Sequence, residues 1–237
     1  MQPFMQHADA ENEKPKSLTQ RVADGLASLP PWIPPKRGYE WIKRLGDIVL
    51  SLLALLVLSP LFALIMLVIW LDDPHGSPFY SSWRVGCGGK LFRFFKFRSM
   101  RIGAEDELTN LLVSNEADGP VFKMKDDPRI TRVGRFLRKY SLDELPQLVN
   151  VFKGDMSIVG PRPPIPREVE LYTTEQMRRL AIRPGLTCLW QVKPQRNSIS
   201  FDEWVELDVQ YILHRSVKMD LRLIVQTIGV MIVGEGI

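Results

Sequence analysis

Cysteine is scarce in this chain of 237 residues: there are only two, Cys87 and Cys188, in unrelated contexts. No disulfide framework or zinc spacing follows, and a reducing cytoplasm is the default expectation. Histidine is nearly as rare. His7, His75 and His214 fall in a tail, a loop and a helical pattern, which argues against a His-centred mechanism. No internal repeat is visible. The charge imbalance is also small, 31 basic against 27 acidic residues, a net +4. That suits anionic lipid or phosphorylated ligands and is too little to argue for nucleic acid. The first 37 residues lack the layout of a signal peptide, because no apolar run follows a basic start. They are polar, then proline-rich (Pro30, Pro31, Pro34, Pro35), and read as a mobile tail with an extended linker.

What the chain does have is one long apolar run, Ile48 to Leu71, interrupted by Ser51 and by Ser59-Pro60. Its length would span a bilayer, whose apolar core takes about 20 helical residues. Pro60 sits mid-run, however, where it removes a helix hydrogen bond and clashes with the preceding turn. Each half is then about 11 or 12 residues, roughly 17 Å, too short to cross alone. A kinked span and a hairpin that enters and leaves by one face both survive. Lys36, Arg37, Lys43 and Arg44 precede the run, and Arg84, Lys90, Arg93, Lys96 and Arg98 follow it. Basic residues collect on cytoplasmic flanks, so the two basic flanks favour the re-entrant hairpin. Ser59 can hydrogen-bond backbone groups that Pro60 frees.

Residues 77–100 are predicted to form a β-hairpin turning at Gly86, Gly88 and Gly89. Lys96 and Arg98 share one strand face with Phe95 and Phe97 on the other, and the period slips between Phe94 and Phe95, as at a bulge. Two cations on one face suit a diphosphate, although such a pair alone reads as a solvated edge. A polar helix is expected over 104–114. A basic stripe follows at Arg129, Arg132, Arg135, Arg138 and Lys139, of a kind that binds phosphate or lies on anionic lipid. An amphipathic helix is expected over 168–182, and Arg183-Pro-Gly-Leu-Thr leads into a short strand. A helix over 201–213 carries Asp208, and 221–233 packs on the core or lies at a membrane interface.

Between these lies the densest stretch, 138–164. It places Asp143 and Glu144 side by side at the start of a helix. Ser141 and Glu144 could form a capping box, while Pro146 argues for a later start. Either register leaves both acids at the positive end of the helix dipole. Taken alone, they read as ordinary helix-start acids. Neighbouring side chains point about 100° apart on a helix, so the two suit different tasks: one attacking phosphorus, the other holding a metal. Gly160-Pro-Arg-Pro-Pro164 is a rigid turn that fixes Arg162, as bidentate phosphate recognition requires.

These residues together resemble the bacterial sugar transferases, the monotopic polyprenyl-phosphate hexose-1-phosphate transferases that initiate exopolysaccharide and glycoconjugate assembly. The resemblance covers about residues 40–233. It rests on Lys43-Arg44…Asp47, Ser59-Pro60, Lys96-Phe-Arg-Ser-Met100, Asp127-Pro-Arg-Ile-Thr131, Ser141-Leu-Asp-Glu-Leu-Pro-Gln147, Lys153-Gly-Asp-Met-Ser157, Gly160-Pro-Arg-Pro163 and Arg183-Pro-Gly-Leu-Thr187.

The resemblance implies an α+β fold: a re-entrant membrane helix-break-helix, and a compact, mostly helical cytosolic domain with a small β-hairpin and interfacial amphipathic helices. The expected division is a tail at 1–37, a membrane hairpin at 38–72 broken at Ser59 and Pro60, and a catalytic domain at 73–237. By the same resemblance Asp143 attacks the β-phosphorus of a UDP-sugar and releases UMP, and undecaprenyl phosphate then takes the phosphosugar. Glu144 binds Mg²⁺, with Asp143 beside it in the metal site. Arg138 and Arg162 hold phosphate groups, while Lys96, Arg98, Arg183 and Asp208 line the substrate site. The expected partners are UDP-sugar, undecaprenyl phosphate, membrane lipids and downstream glycosyltransferases, with no nucleic acid, at the cytoplasmic face of the bacterial inner membrane. The alternative is a catalytically silent membrane scaffold that recruits later glycosyltransferases. Two departures stand out: Cys188 occupies a position that is often Gly, and the loop Lys193-Pro-Gln-Arg-Asn197 is one residue longer than is common. The tail is expected to be too short for the several-span N-terminal half of larger members.

Overall fold

The computed structural model describes residues 16–29, 33, 36–194 and 199–234. In chain order the helices are α1 (Lys16–Ala27), α2 (Arg37–Val57), α3 (Ser59–Asp72), α4 (Leu108–Leu111), α5 (Arg132–Lys139), α6 (Gln147–Lys153), α7 (Pro166–Glu170), α8 (Phe201–His214) and α9 (Val217–Val233). The strands are β1 (Phe79–Val85), β2 (Leu91–Phe97), β3 (Ser157–Val159) and β4 (Gly185–Thr187). The class is α+β. β1 and β2 form an antiparallel hairpin, and β3 and β4 a short parallel pair.

The hairpin is the centre of the packing. Its register is unbroken, Phe79 opposite Phe97 through to Val85 opposite Leu91, so the expected bulge at Phe94-Phe95 is absent. The slip in period has another cause: both faces of β2 are covered. Phe92 and Phe94 pack on Val151 of α6 and on Met156. On the opposite face Phe97 packs on Ile65 and Ile69 of α3 and Leu137 of α5. A strand buried on both sides has no need of strict alternation.

Residues 16–27, assigned from the sequence to a mobile tail, instead form α1. Leu18 and Val22, one helical turn apart, are buried against Val85, Leu91 and Val169. Each such side chain contributes about 1.5–3 kcal/mol on burial. Pro30, Pro31, Pro34 and Pro35 lie outside the described residues. The expected helix over 168–182 is also interrupted: α7 ends at Glu170, and a 3₁₀ turn over Gln176–Leu180 follows. The polar helix expected over 104–114 shrinks to α4 and a following 3₁₀ turn.

α2 begins eleven residues before the apolar run. Its inner face is polar. Lys43 Nζ and Tyr39 OH each lie 2.8 Å from Asp220 Oδ2. Arg44 donates to the carbonyls of Val151 and Phe152, and Asp47 Oδ1 accepts the Ile158 N–H at 3.0 Å. Its outer face is apolar, with Trp41, Leu45, Leu56 and Val57 exposed. The pattern is the reverse of an ordinary surface helix. α2 and α3 meet at an angle of 59°. Pro60 has no N–H to offer the Leu56 carbonyl, and the Ser59 hydroxyl takes that carbonyl at 2.8 Å. Among the described residues no single helix is long and apolar enough to cross a membrane; the bent α2–α3 pair meets that test only jointly.

Candidate active site

Asp143 and Glu144 lie in a single 3₁₀ turn, Leu142–Glu144, just ahead of α6. The capping box is not formed: the Ser141 side chain makes no cap, and α6 starts beyond Pro146, the later of the two registers. Ser141 has φ of +54°, in the left-handed region that non-glycine residues rarely occupy. That residue turns the chain sharply out of α5 and presents both acids to the hairpin.

They meet Lys96 there. Lys96 Nζ is 2.7 Å from Glu144 Oε1 and 3.4 Å from Asp143 Oδ2. The acids therefore converge on one cation, although a helix would have separated them. Asn150, fully buried, sets this distance: its Oδ1 accepts the Phe95 N–H at 3.1 Å and its Nδ2 donates to the Arg93 carbonyl. One side chain thus clamps α6 to the strand that carries Lys96.

Arg162 Nη1 stands 3.5 Å from Glu144 Oε1. Its loop is fixed by the Gly160 N–H donating to Thr187 O at 2.9 Å and the Gly185 N–H donating to Pro161 O at 2.8 Å. The strands approach so closely that a Cβ on Gly185 would lie 2.0 Å from Gly160 N. Arg84 completes the group. It shares a hairpin face with Lys96, and both cations flank the Phe94 ring, at 5.0 and 5.7 Å from its centroid. Arg84 Nη1 donates to Pro163 O at 3.2 Å, so it also braces the Arg162 loop. Burial by itself would raise the Glu144 pKa. The charges of Lys96, Arg162 and Arg84, with the Lys96 hydrogen bond, outweigh it and hold the carboxyl at about 2.

The remaining expected site residues go elsewhere. Arg98 does not share the site face. It lies just past β2 and binds Asp73 at the end of α3, Nη1 to Oδ2 at 3.0 Å. Arg183 is exposed on a separate cleft of about 320 Å³ lined by Glu40, Lys43, Arg44, Asp47 and Arg215. Asp208 is buried in α8 and pairs with Arg179, Nη2 to Oδ2 at 2.6 Å. Burial pushes its carboxyl up to about 6 against the pull of Arg179. Among the described residues its ion pair is with Arg179, and none joins it to Lys96 or Arg162. Arg138 lies in the last turn of α5, half-buried, and its carbonyl accepts the Ser141 N–H at 3.0 Å. Among the described residues no ion pair joins its side chain to the acids. Arg129, placed by the sequence in a helical basic stripe, precedes α5 and is buried on Asp127 at 2.7 Å. In the loop at 193–197, Gln195, Arg196 and Asn197 lie outside the described residues.

Chemically, the site is a pair of adjacent, largely buried carboxylates beside Lys96, Arg162 and Arg84, with Glu144 held ionised. Three cations around two acids suit a diphosphate. Asp143 and Glu144 are also hard oxygen donors of the kind Mg²⁺ takes in ones or twos, with phosphate oxygens and water filling the remaining positions. Among the described residues no three acidic, His or Cys side chains converge. The donor set therefore fits an ion held partly by substrate.

Comparison with known proteins places these residues in context. The family model described as bacterial sugar transferase matches residues 38–234. The galactosyl transferase CpsE of Streptococcus agalactiae is 47% identical over 194 residues, covering 82% of this chain and 43% of that protein. The undecaprenyl-phosphate galactose phosphotransferase of Salmonella typhimurium is 42% identical over 210 residues, 85% of this chain and 42% of that one. The exopolysaccharide production protein ExoY of Rhizobium meliloti is 40% identical over 225 residues, 91% of this chain and 99% of that one. This chain thus spans under half the length of the first two and nearly all of the third.

Proposed function

Because the chain belongs to the bacterial sugar transferase family, we propose that it transfers a hexose-1-phosphate from a UDP-sugar to undecaprenyl phosphate, releasing UMP, as the first membrane step of exopolysaccharide or glycoconjugate synthesis. Asp143 is the nucleophile. Its carboxylate oxygen bonds to the β-phosphorus as the bond from that phosphorus to the UMP oxygen breaks, and UMP leaves. An oxygen of the lipid phosphate then bonds to the same phosphorus, and the bond to Asp143 breaks, returning the carboxylate. Lys96, Arg162 and Arg84 face the diphosphate and offset the charge that would repel Asp143. Glu144, with Asp143 beside it, would hold Mg²⁺, which when bound neutralises phosphate oxygens. The observation that carries this reading is the convergence of two adjacent carboxylates on Lys96, with Arg162 at 3.5 Å from one of them.

We place the α2–α3 hairpin in the cytoplasmic leaflet of the inner membrane, entering and leaving by the same face. Its support is the inverted α2, apolar outward and polar inward, together with the bend at Ser59-Pro60. That arrangement keeps the acids at headgroup depth, where the lipid phosphate arrives. A plain hexose is the favoured sugar, in keeping with the relatives named for galactose.

Incubating the protein with a panel of UDP-sugars and Mg²⁺, without lipid, should yield a phosphosugar adduct on Asp143 by mass spectrometry. Adding undecaprenyl phosphate should discharge it with ping-pong kinetics. Asp143→Asn should lose the adduct and turnover while folding normally. Appreciable transfer by Asp143→Asn would overturn the nucleophile assignment.

A further inference from the structure

A second cleft opens directly beside Glu144, of about 480 Å³ with part of it open to solvent. One end is bordered by Glu144, the acid paired with Lys96 and Arg162, neither of which lines the cleft itself. Its walls are mainly apolar, Leu145, Leu186 and Val192 on the domain side and Val230 and Met231 of α9 on the other, with Ser141 and Gln191 also lining it. Two threonines line it as well, but neither hydroxyl proton is free for a ligand. Thr227 Oγ1 donates to the Leu223 carbonyl at 2.7 Å, so in the 2.6 Å contact between Thr187 Oγ1 and Thr227 Oγ1 the proton comes from Thr187. Immediately next to the cleft on α9, Ile228 and Ile232 are exposed, so an apolar path continues outward along the helix.

We propose that this cleft receives the first isoprene units of the polyprenyl phosphate, with Val192, Val230 and Met231 as the residues that select the acceptor. This rests on the function proposed above, and it assigns a binding site for the acceptor's hydrocarbon. The match is one of chemistry along a single axis. The acceptor is an anion fused to a branched hydrocarbon, and the mainly apolar cleft abuts, at Glu144, the cluster in which Lys96 and Arg162 are paired with that acid. A phosphate near Lys96 and Arg162 would have its ester chain beside Leu145 and Met231, and the chain would continue toward the exposed Ile228 and Ile232. A water-soluble acceptor would gain nothing from such walls, so hydrolysis of the adduct is not favoured by binding there.

The test uses the full chain in lipid nanodiscs. Val230→Trp fills the channel and should raise KM for undecaprenyl phosphate about tenfold or more, the scale on which apolar pockets discriminate size. Lipid-free adduct formation reports that the variant is folded. In parallel, a diazirine-bearing farnesyl phosphate should photolabel the wild-type protein within 186–192 or 227–231, and undecaprenyl phosphate should compete the label away. An unchanged lipid KM in a variant that still forms adduct would overturn the assignment. So would labelling confined to other segments. If the wild type forms no adduct with any UDP-sugar, the proposed reaction fails instead, and the photolabel still decides whether a prenyl phosphate occupies the cleft.

Discussion

Replacing Lys96 by Met keeps the aliphatic stem beside Phe94 and removes the one charge that both carboxylates share. In the native protein the Glu144 carboxyl is held at about 2 against an ordinary 4.5. That depression is the joint effect of Lys96, Arg162 and Arg84 against burial, about 3–4 kcal/mol in all at neutral pH, of which the nearest cation supplies only a share. The Glu144 side chain is only 16% exposed, so solvent screening does not erase this contribution. Arg162 and Arg84 remain in the variant, yet the nearest partner is lost. We therefore expect a cost of at most about 3 kcal/mol at pH 7, the low end for one-sided removal of a buried pair. For a domain of this size that upper figure is a fall of roughly 6–12 °C in thermal midpoint.

The sign with pH is fixed. A carboxyl whose pKa is depressed on folding stabilises above its unfolded value, and the contribution is lost as pH falls through 4.5 toward 2. The gap between wild type and Lys96→Met should thus be full at pH 7 and visibly narrower at pH 3.5. Denaturant unfolding in detergent at the two pH values measures it. A gap of equal size at both would mean that Lys96 acts through packing, and the electrostatic account of the site would be refuted.

Gly185→Ala should prevent the Arg162 loop from seating, because its Cβ would sit 2.0 Å from Gly160 N; proteolysis within 160–164 reads this directly. Ser141→Gly should leave the thermal midpoint at or above wild type, whereas Ser141→Val should lower stability by about 1–3 kcal/mol, because φ is +54° there. Pro60→Ala restores an N–H for the Leu56 carbonyl and should straighten the hairpin toward a span. Cysteine-accessibility labelling that still places both ends on the cytoplasmic side would show that the proline does not set the topology.

The core of the site was legible because its residues are chemically loud and close in sequence. Asp143, Glu144 and Arg162 lie within twenty residues, and a proline-flanked arginine announces a fixed guanidinium. Lys96 was legible from the hairpin. Arg84 was not singled out, although the turn at 86–89 already implied that 84 pairs with 92 and shares the Lys96 face. Arg98 was misplaced for want of a strand end: the ladder stops at Phe97, and the next side chain turns to Asp73. The bulge and the capping box were inferred from local pattern alone. Burial on both faces removed the first, and a left-handed Ser141 removed the second. α1 was lost in a polar, proline-rich composition, although Leu18, Val22 and Leu26 recur every fourth residue. Asn150 and Arg179 carried no signal, because their importance comes from what tertiary packing places opposite them.

The polar root of α2 has a mechanical consequence. Lys43, Arg44 and Asp47 bolt the helix to α9, α6 and β3 at three successive points before its apolar half begins. The buried half of the hairpin and the carboxylates therefore move as one lever. In the membrane placement proposed above, tilting or sinking the hairpin would raise or lower Asp143 by a corresponding amount, so bilayer thickness and lipid packing would become settings of catalytic reach. Asp47→Ala would remove one of the three bolts and with it part of the coupling between the hairpin and the carboxylates.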